Sequence, residues 1–173
     1  PTAPAGGANV QLYRAAAASA TATPEDGGSV SAVAAGGARH TLTLPPGALT
    51  DTTVITLTPV TAIAGISFSG GLVAAAHFEP EGLRLGETAT LAIDLPPGTD
   101  ADSLIGFAYR GDGEDLHLYP LTVEGSTATL QISHFSGGGA GNGTPAVPGT
   151  GSACPVLYSL EEAVAVHGAS PDG

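Results

Sequence analysis

Between Gly28 and Gly137 the chain is organised as short runs of alternating apolar and polar residues, each cut off by proline or glycine. Thr41-Leu42-Thr43-Leu44 alternates and stops at Pro45-Pro46-Gly47, while Thr53 to Thr58 is β-branched and runs into Pro59. Leu91, Ile93 and Leu95 fall on one face of an extended segment, opposite Thr90, Ala92 and Asp94, before Pro96-Pro97-Gly98. Later segments are Leu104–Tyr109, Leu116–Tyr119 and Thr127–Ser133, the last two joined through Leu121, Val123 and the turn Glu124-Gly125-Ser126. A period of two puts successive side chains on opposite faces of a strand, and punctuation at this spacing predicts an all-β, antiparallel β-sandwich of about seven to nine strands. The two Leu-Pro-Pro-Gly stretches predict corners of the same chemistry, because proline ends ladder pairing and glycine supplies the tight turn.

Outside this region the pattern changes. Residues 1–27 are mostly Ala, Gly, Thr and Pro, with one expected strand at Val10–Tyr13, and form an extended tail whose strand would serve as a donor to a neighbour's sheet. The apolar stretch Ala62–Val73 would serve the same purpose. The sandwich is expected over 28–137, and 138–173 as a Gly/Pro linker followed by a short helix over Leu160–Val166. Ser159 and Glu162 have the spacing of a capping box for that helix. So short a helix is marginal alone, so it is expected to dock on the rest of the chain or on a neighbour.

Composition narrows the setting. There are four arginines (Arg14, Arg39, Arg84, Arg110) and no lysine, and the net charge is −12. A chain so poor in cations has little with which to displace phosphate counterions, which excludes nucleic acid and anionic membrane surfaces as partners. Charged residues are 12% of the chain, against about 25% for ordinary soluble domains, and Thr, Ser, Ala and Gly take their place. This composition is that of an extracellular or cell-surface protein. No run approaches the roughly 20 apolar residues of a membrane span. The chain has no Met, so Pro1 is expected to begin a processed product or an excerpt of something longer. One cysteine, Cys154, excludes an internal disulfide and any Cys-based zinc site.

Candidate chemistry is sparse. The five histidines (His40, His77, His117, His134, His167) show no i,i+4 pair and no HExxH motif. Asp112, Glu114 and Asp115, in an acidic turn, are weak calcium candidates, as are Asp100 and Asp102, but neither set matches an EF-hand loop. Arg110-Gly111-Asp112 has the letters of an integrin-binding tripeptide, which a hairpin turn's composition explains as well. Asn142-Gly143-Thr144 is a glycosylation sequon in what reads as an exposed linker. No G-x-S-x-G elbow, P-loop or paired-carboxylate pattern is present.

One resemblance gathers several of these segments. Gly36-Gly37, Thr41-Leu42-Thr43-Leu44-Pro45-Pro46-Gly47-Ala48-Leu49 and Thr52 to Val60 look like the opening of a ZU5 domain, a β-sandwich found in ankyrins, netrin receptors and death-domain proteins. Looser relatives occur in bacterial and archaeal surface proteins. Phe78-Glu79-Pro80-Glu81-Gly82-Leu83, Leu91–Pro96 and the strands ending in His134-Phe135-Ser136 resemble its later part. An aromatic usual after the Tyr109 turn is replaced here by Asp115-Leu116. The resemblance implies a mostly non-catalytic module that spaces and docks larger parts. It also implies that, in some such domains, the Ser136 hydroxyl attacks the Phe135 carbonyl with His134 assisting, so that the chain cuts itself. By strand parity His134 falls with Ala128, Leu130 and Ile132 on the core side. The expected function is therefore a non-enzymatic surface module that mediates protein assembly, as a homo-oligomer or polymer joined through its tails. Self-cleavage at Phe135-Ser136 is the alternative, and glycan or calcium binding a third.

Overall fold

The computed structural model describes residues 9–64, 67–111, 113–143 and 145–146. They form two antiparallel sheets packed face to face, with a further two-stranded ladder. The strands are β1 (Asn9–Leu12), β2 (Ala18–Ala22), β3 (Gly28–Val33), β4 (Arg39–Leu44), β5 (Thr53–Ala64), β6 (Ser67–Phe68) and β7 (Leu72–Glu79) in the first half. They continue with β8 (Arg84–Asp94), β9 (Leu104–Arg110), β10 (Glu114–Leu118), β11 (Thr122–Glu124), β12 (Thr127–His134), β13 (Gly137–Asn142) and β14 (Pro145–Ala146). The larger sheet runs β1-β5-β7-β13-β9-β10, with β2 also on β5, and the smaller runs β11-β12-β8-β4-β3. An all-β sandwich is thus what the alternation predicted.

The main core lies between the sheets. Ile55, Leu57, Ala76 and Phe78 from the larger sheet meet Leu42, Leu91, Ile93, Leu130 and Ile132 from the smaller, all fully or almost fully buried. The outward face of the smaller sheet carries cross-strand hydroxyl pairs instead, such as Ser31 with Thr41 at 2.9 Å. The larger sheet is apolar on both faces. Ala74, Ala76 and Phe78 of β7 enter the main core, while Ala75, on the opposite face by alternation, joins Val60, Phe68, Phe107 and Tyr109 in a second cluster. That double burial explains why β7 reads as a continuous apolar run without a period.

The two Leu-Pro-Pro-Gly stretches are matching corners. Gly47 and Gly98 both have φ +83°, and in each the residue after glycine donates its N–H to the first proline's carbonyl at 3.2 Å. Only glycine adopts that φ without steric cost.

Three expectations are corrected. Strand β5 does not stop at Pro59 but runs through it. Within a strand a residue's N–H and C=O point to the same side, and the Pro59 carbonyl accepts from Tyr13 N–H at 2.7 Å. The missing N–H therefore faces the place where the edge leaves its ladder in a 3₁₀ turn, Arg14–Ala16, between β1 and β2, and no ladder bond is lost. Second, Asn9–Leu12 and Ala18–Ala22 of the expected tail are strands of the larger sheet. Val10 and Gln11 pair with Ile63 and Ala62, so the two segments expected to complete a neighbour's sheet complete each other. Third, the sandwich does not end at 137. Strand β13, Gly-Gly-Gly-Ala-Gly-Asn, is paired on both sides, with β7 and β9, and its first five residues are buried. Its glycines admit neighbouring rings: a Cβ at Gly137 would fall inside the Tyr109 ring, and one at Gly141 inside the Phe68 ring. The Leu160–Val166 helix and Cys154 lie outside the described residues.

Candidate functional site

His134-Phe135-Ser136 is the passage between the two sheets. His134 is the last residue of β12 in the smaller sheet, and Gly137 is the first of β13 in the larger. Ladder register shifts between Ile132, opposite Ala89, and His134, opposite Arg84. The extra residues lie in β8, where five steps from Ala89 to Arg84 oppose two from Ile132 to His134, so β12 keeps its alternation but leaves the regular ladder at its end. Ala128, Leu130 and Ile132 are buried as expected, but His134 is only half-buried, and Phe135 takes the core position, its ring tilted against that of Phe78 with centroids 5.7 Å apart.

The crossing is pinned by its backbone. Phe135 N–H donates to the Leu83 carbonyl at 2.8 Å, the Phe135 carbonyl accepts from Gly82 N–H at 2.9 Å, and the Ser136 carbonyl accepts from Phe78 N–H at 2.7 Å. Ser136 is 4% exposed. Of the His134 ring, Nδ1 lies 3.4 Å from Ser133 Oγ, while Nε2 is closed off from solvent without a hydrogen-bond partner among the described residues. Among the described residues the imidazole therefore hydrogen-bonds Ser133 and not Ser136.

Above the crossing is an open pocket of about 490 Å³, lined in part by Glu81, Arg84, Arg110, His134, Phe135 and Ser136. Arg84 arrives from the smaller sheet and Arg110 from the larger. Burial, and then the charges of Arg110, His117 and Arg84, hold the His134 pKa below its ordinary value, with Asp115 acting weakly the other way. Half of the chain's arginines thus meet at one spot. The sequence signals this only through the scarcity of cations; their convergence depends on the sheet-to-sheet packing.

The other predicted positions are dispersed. Asp112 lies outside the described residues, and Glu114 starts β10. Asp115, at φ 49°, sits 3.7 Å from Arg110 Nε, both side chains 63% exposed, and its carbonyl meets His117 Nδ1 at 2.7 Å. Asp100 is occupied locally, accepting from Asp102 N–H and from Ser103 Oγ in a 3₁₀ turn. Among the described residues no group of three or more His, Cys, Asp or Glu side chains is gathered to hold a metal. Asn142 is not in an exposed linker: it is half-buried at the end of β13, opposite Leu104, its N–H bonded to the Gly71 carbonyl and its carbonyl to Gly70 N–H.

Compared with known proteins, the chain matches no family model and no curated sequence.

Proposed function

We propose that this chain is a non-enzymatic, extracellular β-sandwich module of ZU5-like or immunoglobulin-like type that mediates protein–protein assembly, and that it does so through the free edge of β3. Sheet edges carry unpaired backbone groups, and soluble proteins blunt them with charge, brevity, proline or irregularity. Three of the four edges here are blunted in those ways. The edge formed by β1 and β2 is broken by a 3₁₀ turn, β10 carries Glu114 and Asp115, and β11 has three residues. Strand β3 is the exception and carries the argument. Its six residues, Gly-Ser-Val-Ser-Ala-Val, include no charge and no proline, and among the described residues its backbone pairs with β4 alone. In a chain of net charge −12, a neutral strip is where two copies approach with least repulsion. Antiparallel pairing of two β3 strands would join the smaller sheets of two copies.

Light scattering tests this reading. The wild-type chain should show a concentration-dependent dimer or larger species, and Ser31→Lys with Val33→Lys, both at exposed positions, should return it to a monomer. A monomeric wild type, or an unchanged size in the double variant, removes the edge-pairing reading.

A second reading is favoured by one observation: Gly82 N–H already points at the Phe135 carbonyl oxygen, where negative charge would develop during attack. In self-cleavage Ser136 Oγ would add to the Phe135 carbonyl carbon and the C–N bond would break, leaving an ester and a free amine at Ser136. Water would then release a Phe135 carboxylate. Because β13 is held between β7 and β9, the two pieces would stay together. Intact mass under denaturing conditions distinguishes the outcomes: a single uncut chain after long incubation rejects cleavage, and two fragments that vanish in Ser136→Ala establish it.

A further inference from the structure

We propose that the pocket above the sheet crossover is a carboxylate-binding site, formed by Arg84 and Arg110 with His134 at its base. The pocket's volume of about 490 Å³ is in the range of ligand sites, about 300–1,000 Å³. Guanidinium forks are the side chains best matched to carboxylates, because they offer parallel N–H donors in a plane. The two forks come from different sheets and meet at one mouth, so the site exists only in the folded sandwich.

Arg84 and Arg110 supply two positive charges, and Glu81 on the same wall supplies one negative. Asp115 approaches Arg110 at 3.7 Å, but both side chains are largely exposed, and such pairs hold their partners weakly. His134, held below its ordinary pKa by burial and then by the nearby cations, adds little positive charge near neutral pH. With Asp115 included the four fixed charges cancel, so the donor forks rather than an excess of positive charge hold the ligand, which suits a monovalent carboxylate better than a doubly charged phosphate. Beside it, His134 Nε2 is shut off from water with no hydrogen-bond partner among the described residues. Bound carboxylate would favour the protonated imidazole, so binding should strengthen as pH falls through the His134 titration.

Two sources present this chemistry: an acidic side chain of another protein chain, and a uronate in a glycan. The site does not rest on edge pairing through β3 and is tested separately. N-acetylglutamate amide stands for the first source and galacturonate for the second, with inorganic phosphate alongside. Each is titrated into the intact chain while the imidazole signals are followed by NMR, with His134→Gln identifying the His134 signal.

At least one carboxylate probe should saturate the His134 shift and raise its pKa, and the tighter probe names the source. Arg84→Gln and Arg110→Gln should each weaken that probe by about tenfold, the equivalent of about 1.4 kcal/mol, with Arg→Lys falling in between. Both arginines are exposed, so an unchanged urea midpoint certifies that these variants fold. No shift with either carboxylate, tighter binding of phosphate, or undiminished binding in the double Gln variant would overturn the proposal.

Discussion

At the residue scale, buried histidine is the sharpest lever on stability. His40 points into the main core beside Leu42 and Leu44, fully buried, on a strand paired with Ala32 and Ile93. Burial lowers its pKa from 6.5 to about 4, against a partial pull upward from the Ala32 and Ala38 backbone. In the unfolded chain the same imidazole takes up a proton near pH 6.5. Between those values the unfolded state binds more protons, so stability is complete above about pH 6.5 and declines as pH falls towards 4, by about 3 kcal/mol in all. Urea unfolding as a function of pH should show this slope, and His40→Phe should flatten it. None of this was legible in the sequence, where His40 is one of five scattered histidines. Alternation placed His134 in the core by the same logic that correctly buried Ala128, Leu130 and Ile132. It held only in part at His134, because β12 ends there and the chain crosses to the other sheet, so Phe135 fills the core position instead.

At the element scale, the legible strands were those that carry alternating side chains. Strands β4, β8 and β12 could be read because each has one polar and one apolar face, and β5 because it opens on a β-branched run. Strand β7 lacks that contrast, having both faces buried, and β13 has almost no side chains at all. A glycine run reads as a linker because its lack of side chains removes the signal of burial. Here the lack of side chains is what makes the strand fit, since the Tyr109 and Phe68 rings occupy the space that Cβ atoms would fill. Gly137→Ala should therefore lower unfolding free energy by about 2 kcal/mol through overpacking. Gly36→Ala, at a position with open space around it, should change it by less than about 0.5 kcal/mol. Equilibrium denaturation of both variants checks the contrast. If Gly137→Ala proved as neutral as Gly36→Ala, β13 would not be the packed central strand described.

At the scale of the whole molecule, both proposals concern what the two sheets do to one another. Neutral β3 lies at an edge because the chain passes from β2 to β3 at a corner between sheets, closed by the Thr23–Gly27 bridge. The arginine pocket exists because β8 and β9, in different sheets, end near the same crossing. The amino-acid order alone determined the sandwich, its matching proline-glycine corners and its cation-poor surface, since each depends on neighbours along the chain and on side-chain chemistry. Tertiary structure decided which edge stayed open, where Arg84 and Arg110 met, and that a run of glycines would be the centre of a sheet. Those outcomes depend on long-range strand pairing and on rings supplied from distant strands, which no local period encodes.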